Sequence, residues 1–352
     1  MVGFPGKEPD ADFRTLVADG IFGAILFKRN VGTVEETAEL CRHLKELARR
    51  PFILSVDQEG GRVARLRGAP FVALPPMREL GRRGDEALIE RVGRLLALEL
   101  RAVGFDWDFA PVLDVDTNPL NPVIGDRAFS EDPHQVARLG VALARGLEAG
   151  GVASCAKHFP GHGDTSQDSH LALPRLPHDL ERLRRMELIP FRAYALAKLA
   201  SVMTAHVIFE ALDPGIPATM SAKVLDGVLR HELGFGGVLV SDDLEMKAIA
   251  DHFSVPEAAV LGTLAGVDLF LVCHHADVQR GAIEAVVQAV ESGRIPRSRI
   301  LEANARLDAL LARFAHPAGN HLSWLGDAEH RRLAEGLVAT QVGRDPTEFL
   351  VS

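Results

Sequence analysis

Short, continuously apolar runs rich in β-branched residues recur along this chain, separated by segments long enough to hold a helix. That alternation constrains the fold more than any other feature. The runs are MVGF from residue 1, GAILF from 23, FILSVD from 52, FDWDFAPV from 105, ASCAKHF from 153, SVMTAHV from 201, GVLVSDD from 237 and LFLVC from 269. Continuous rather than alternating hydrophobicity is expected of parallel strands buried on both faces. Eight such strands with intervening helices predict an α/β chain folded as a single-domain (β/α)8 barrel of the TIM type. An open doubly wound sheet is the alternative that the pattern alone leaves.

Two intervening segments carry readable helices. Asp85 stands as an N-cap before Leu88, Val92, Leu95, Leu96 and Val103, which fall near 3.6-residue spacing. A second helix is predicted from Pro133, with Val136, Leu139, Leu143 and Leu147 on one face and a stop at Gly150-Gly151. The first strand begins at Met1, so it is expected to be short and frayed. After a last helix around 300–314 comes AHPAGNHLSWLGD, a linker bearing Pro and Gly, and then a helical segment from about Ala328 to Val342. The expected organisation is a catalytic barrel over 1–314 with a linker and helical tail over 315–352, and no second domain.

Charge and cysteine content narrow the partners. The chain has 39 Lys and Arg against 48 Asp and Glu, a formal net charge of −9, with no basic stripe, which argues against a nucleic-acid partner. A small neutral or polar substrate is expected instead. Cys41, Cys155 and Cys273 are odd in number and lie in apolar runs, so they read as free thiols in a reducing compartment. No run approaches the roughly 20 apolar residues of a membrane span and no signal peptide is visible, so no membrane partner and a cytoplasmic location are expected. Nothing in the sequence speaks to oligomeric state.

Polar residues gather where the predicted strands end: Asp57, Asp114, Lys157 and His158, His206, and Asp242 with Asp243. In a parallel barrel those ends share one face, the face on which barrel enzymes build their sites. Each has a plainer reading. Asp114 can cap its own loop. Glu59, Arg62 and Arg65, in DQEGGRVARL, can form surface ion pairs worth little. Gly60 and Gly61 permit a tight turn that would bring Asp57 and Arg65 to a ligand. Arg127, in GDRAFSEDP, can bond a helix cap or reach a substrate hydroxyl.

The four-residue spacing of His158 and His162 suits zinc on a helix, but Pro160 and Gly161 break any helix there, and no metal is expected. No phosphate-cradling glycine motif follows a strand, so no nucleotide cofactor is expected either. Metal-free acid/base and nucleophilic chemistry remains. Asp242, held at a strand end, can attack a carbon centre while a histidine of the long loop protonates the leaving oxygen.

KHFPGHGDTSQDSH from Lys157, VSDDLEM from Val240 and SVDQEGGRVARL from Ser55 together resemble the glycoside hydrolase family 3 β-N-acetylglucosaminidases, particularly the single-domain bacterial enzymes of peptidoglycan recycling. The resemblance spans most of the chain to about residue 275. It implies a retaining exo-β-N-acetylglucosaminidase without cofactor, acting on terminal N-acetylglucosamine of peptidoglycan fragments or other N-acetylglucosaminides. It makes Asp242 the nucleophile of a covalent glycosyl-enzyme, with Asp243 in support, and His170 the general acid and base, paired with Asp168. Asp57, Arg65, Arg127, Lys157 and His158 are then expected to contact the sugar. Gly161 and Gly163 are expected to let FPGHGDT move as an arm over the substrate.

Rival readings use the same residues. A phosphorylase would resolve the intermediate with phosphate, which a histidine repels less than a carboxylate would. A broader β-glycosidase and a sugar-binding protein that has lost its chemistry are the others.

Overall fold

The computed structural model of the chain describes residues 1–166, 173–337 and 345. Its framework is an α/β fold with parallel sheets. The strand Gly23–Leu26 pairs in parallel with Ile53–Val56, which pairs with Trp107–Asp108. A second sheet runs Cys155–Phe159, Ser201–Thr204, Val238–Asp243 and Leu269–Leu271, again all parallel. Single parallel bridges lie between the two sheets: Trp107 meets Ala153, and Val2 meets both Ala24 and Val272.

The expected fraying at residue 1 is not what the structure has. Val2 is hydrogen-bonded between two strands, and the amine of Met1 donates to the carbonyl of Phe270 at 2.9 Å. Burial lowers the pKa of that amine to about 5. The FDWDFAPV run is cut short for a plain reason. Regular pairing stops at Asp108, and Pro111 supplies no N–H to extend it. Val112 then resumes with a bridge to Lys157.

Side chains alternate across the strands into two apolar layers, as the period of two requires. One cluster gathers Ile25, Ile53, Trp107, Cys155, Met203, Val240 and Leu271 from all seven strands. Leu307, Leu310 and Phe314, from the helix Arg297–Phe314, pack on it. The other cluster takes Ala24, Leu26, Leu54, Val56, Ala156, Val202 and Leu239 from the opposite faces and packs them under the helices.

The helix Glu86–Val103 is capped by Asp85, whose side chain accepts from the Leu88 amide at 3.1 Å. The helix Pro133–Ala149 follows the Asp132 cap, and its expected face, Val136, Leu139, Leu143 and Leu147, is fully buried. These two helices touch backbone to backbone. A Cβ on Gly93 would lie 2.2 Å from the Leu143 carbonyl oxygen, and one on Gly146 would lie 2.1 Å from that of Glu90. The tail helix is shorter than expected, Ala328–Ala334. His330 Nε2 bonds the buried Glu99 at 2.8 Å and fixes this helix to the framework, while residues 338–344 lie outside the described residues.

Gly93→Ala and Gly146→Ala should each lower stability by about 1–3 kcal/mol through overpacking. Thermal and denaturant unfolding read this directly; an unchanged midpoint in both variants would refute the close helix contact.

Candidate active site

Because the strands run parallel, the residues at their C-terminal ends converge on one face. Asp57 follows the second strand, Lys157 and His158 lie within the Cys155–Phe159 strand, and Asp242 lies within Val238–Asp243. With Arg65, Arg127, His162 and Asp243 they line one cleft, floored by Phe109, Met203 and Leu271. It is narrow and opens to solvent.

One wall is a row of alternating charges. Lys157 Nζ sits 2.8 Å from Asp57 Oδ1 and 2.6 Å from Glu59 Oε1. Glu59 in turn takes a bidentate pair from Arg127, Nε and Nη2 each at 2.8 Å. Arg65 Nη2 lies 3.3 Å from Asp57 Oδ2, and its Nη1 pairs with Asp345. Burial by itself would neutralise Glu59, but the charges of Arg127 and Lys157 outweigh it and hold the carboxyl well below the usual range. Burial works against Lys157 in the same way, and Asp57 and Glu59 reverse it and hold the ammonium firmly charged. Asp57 is the most exposed member, with 16% of its side chain reachable against 4% or less for the others. It is therefore the carboxylate best placed to meet a ligand hydroxyl.

Local sequence explains how this wall is built. Gln58–Gly60 and Val63–Ala64 form a small hairpin whose turn needs positive φ at Gly60 (99°) and Gly61 (55°). A Cβ on Gly61 would also come within 2.8 Å of Pro76 Cα. Gln58 Oε1 accepts from the amides of Arg65 (2.8 Å) and Leu66 (3.0 Å), which returns Arg65 to Asp57. The surface reading of Glu59 and Arg65 is thereby corrected: both are buried. Only Arg62 pairs toward solvent, with Asp126 at 2.6 Å.

Asp114 is not a loop cap. Its carboxylate accepts from the amides of His158 (3.2 Å) and His162 (2.7 Å) and from His158 Nδ1 at 2.7 Å. Burial raises its pKa, and the facing His158 and these donors more than reverse that, so it stays ionised. An ionised partner requires the proton on His158 Nδ1. The Lys157–His158 peptide is cis.

At the opposite wall Asp242 Oδ1 accepts from the Asp243 amide at 2.8 Å. His206 Nε2 donates to the Asp243 carbonyl at 3.0 Å, while its Nδ1 meets Thr219 Oγ1 at 2.8 Å. Burial lowers the pKa of His206, so it serves as a neutral brace for the backbone that carries Asp242. His274 Nε2 stands 3.1 Å from Asp243 Oδ2 without hydrogen-bond alignment.

The expected glycine-hinged arm is tied down where it is described. Asn121 Nδ2 donates to the carbonyls of His162 (2.8 Å) and Gly163 (3.0 Å), and His162 Nδ1 meets Thr165 Oγ1 at 2.8 Å. Gly163 is small because Val115 is there: a Cβ would lie 1.7 Å from the Val115 carbonyl oxygen. Asp168 and His170 lie outside the described residues. Among the described residues no group of three or more His, Cys, Asp or Glu side chains is arranged to hold a metal ion.

Sequence reasoning missed the roles of Glu59, Asp114 and Asp345. The double glycine after Glu59 was the one available signal, and nothing marked Asp345.

A family model described as the glycosyl hydrolase family 3 N-terminal domain matches residues 1–310. The beta-hexosaminidase A of Pseudoalteromonas piscicida is 35% identical over 352 residues, covering 92% of this chain and 59% of that protein. A family 3 beta-N-acetylglucosaminidase from Paenibacillus sp. str. FPU-7 superposes with a TM-score of 0.89 at 43% identity, over 95% of this chain and 65% of the other. NagZ from Neisseria gonorrhoeae, in complex with N-trifluoroacetyl-D-glucosamine, gives a TM-score of 0.77 at 33% identity, with 95% of each chain covered. The chain therefore spans less than two thirds of some relatives and nearly the whole of others.

Burial and the neighbouring His158 lower the pKa of His162 to about 4, against about 6.5 unfolded. The folded protein resists a proton that the unfolded chain accepts, so this stabilisation is complete above pH 6.5. It is lost as the pH falls from 6.5 to 4, by roughly 3 kcal/mol in all. Denaturant unfolding at pH 7.5 and 5 should show the loss, and His162→Asn should flatten it; an identical slope in the variant would contradict this.

Proposed function

From the membership of this chain in glycosyl hydrolase family 3, we propose that it is a retaining exo-β-N-acetylglucosaminidase, a β-N-acetylhexosaminidase that removes terminal N-acetylglucosamine from peptidoglycan fragments. The observation that carries this reading is the cleft itself. A strand-held carboxylate, Asp242, faces a wall of buried charged and polar side chains, Asp57, Arg65, Arg127, Lys157 and His158, suited to sugar hydroxyls and an acetamido group. The beta-hexosaminidase relatives, and the N-trifluoroacetyl-D-glucosamine bound by the Neisseria protein, support an N-acetylglucosaminide.

In the proposed reaction an Asp242 oxygen attacks the anomeric carbon while the bond to the aglycone oxygen breaks, and the His170 imidazolium gives that oxygen its proton. Asp168 steadies the imidazolium as the carboxylate of a serine-hydrolase triad does. In the second step His170 removes a proton from water as the water oxygen displaces Asp242, which restores both groups and retains the configuration. The roles of His170 and Asp168 rest on their place in the loop motif. Asp57 accepts from a hydroxyl, and Lys157, Arg127 and Arg65 supply positive charge beside it.

The same reading extends to architecture. A closed (β/α)8 barrel over 1–314, with a linker and tail over 315–352, is supported by the bridges at Val2 and at Trp107–Ala153, which lie where the two sheets would join. A cytoplasmic setting is supported by three buried free cysteines. Among the described residues no helix is long and apolar enough to cross a membrane.

The purified protein should release nitrophenol from the nitrophenyl N-acetyl-β-glucosaminide. Asp242→Asn should remove at least about a thousandfold of that rate, and His170→Ala about 10²–10⁴-fold. Undiminished turnover by Asp242→Asn would defeat the mechanism. Assays of N-acetylglucosaminyl anhydro-muropeptides against chitobiose define the aglycone, and N-acetylglucosamine 1-phosphate as the product in phosphate buffer would convert the reading to a phosphorylase.

A further inference from the structure

The charge row does not end in the strands. Its last member, Asp345, lies beyond the 1–310 stretch that matches the family model, in the segment after the tail helix Ala328–Ala334. Its side chain is only 3% exposed, and it pairs with Nη1 of Arg65, itself 4% exposed. Arg65 thus stands between two carboxylates. Its contact to Asp57 is 3.3 Å, longer than the 2.7–2.9 Å or so of a well-made charge-assisted bond. Asp57 Oδ1 is meanwhile held by Lys157 at 2.8 Å.

We propose that Asp345 is a positioning residue for sugar binding, which holds the Arg65 guanidinium back from Asp57 so that Asp57 Oδ2 stays available to a substrate hydroxyl. The inference rests on the glycosidase reading above, in which Asp57 and Arg65 meet the sugar. The physical argument is a competition. A guanidinium shared by two carboxylates is drawn to the buried one, which has no water to fall back on. Without Asp345, Arg65 swings onto Asp57 and ties up the oxygen the substrate needs. Charge balance fits the same picture: Asp57, Glu59 and Asp345 face Arg65, Lys157 and Arg127. Asp345, beyond residue 310, therefore supplies part of the binding wall.

The experiment is steady-state kinetics of the full chain on the nitrophenyl N-acetyl-β-glucosaminide, comparing wild type with Asp345→Asn. KM should rise about tenfold, the equivalent of one charged hydrogen bond, with kcat changed less than about threefold. In an Arg65→Ala background Asp345→Asn should add less than about twofold, because the residue acts through Arg65. A loss that is merely structural would instead lower kcat with KM unchanged and persist in that background. If Asp345→Asn does not fold, Asp345→Glu carries the same test, since the longer side chain displaces the guanidinium. An unchanged KM in an active, Asp242-dependent enzyme overturns this proposal alone. No turnover by wild type overturns the glycosidase reading and this proposal with it.

Discussion

Lys157 is an ammonium taken out of water and held between two carboxylates, and much of the site depends on that arrangement. An unpartnered charge in its place would cost several kcal/mol. The requirement reaches through the chain. Glu59 must fold back from its hairpin, so Gly60 and Gly61 must turn. Glu59 then calls for a second cation, which Arg127 brings from a different loop with both nitrogens. Three separate segments are thereby fixed in one wall before any ligand arrives, and a fixed wall of charge needs no reorganisation when substrate binds.

The two imidazoles near this wall illustrate how environment divides like residues. His158 is oriented by Asp114, whose carboxylate accepts from both its ring and its backbone. His162, four residues on, is buried beside it, remains neutral down to about pH 4, and bonds Thr165. Both line the cleft, and His162 also holds the loop's shape. His206 is also neutral and braces the Asp243 carbonyl, so the backbone on which the proposed nucleophile sits is fixed by a side chain just beyond the end of the neighbouring strand.

Much of the framework was legible because it follows from periodicity. Seven of the eight continuous apolar runs became parallel strands and the first made only single bridges, while the Asp85 and Pro133 helices buried the faces their spacing predicted, except that Leu88 is only partly buried. The positions of Asp57, Lys157, His158 and Asp242 at strand ends could be read in the same way. Glu59 could not, because a carboxylate amid arginines looks the same in sequence whether it is solvated or buried. The packing of Gly163 could not be read for a related reason: it answers to the Val115 carbonyl, which is distant in sequence and in contact only after folding.

The sequence by itself determined the alternation of strand and helix, the caps and stops of the main helices, and the set of residues that would reach one face, since each depends on near neighbours along the chain. Tertiary structure alone decided which charges are buried, that His162 is kept neutral, and that Asp345 joins a wall begun at Asp57. Those outcomes turn on desolvation and on pairs up to 280 residues apart, and neither has a signature in local sequence.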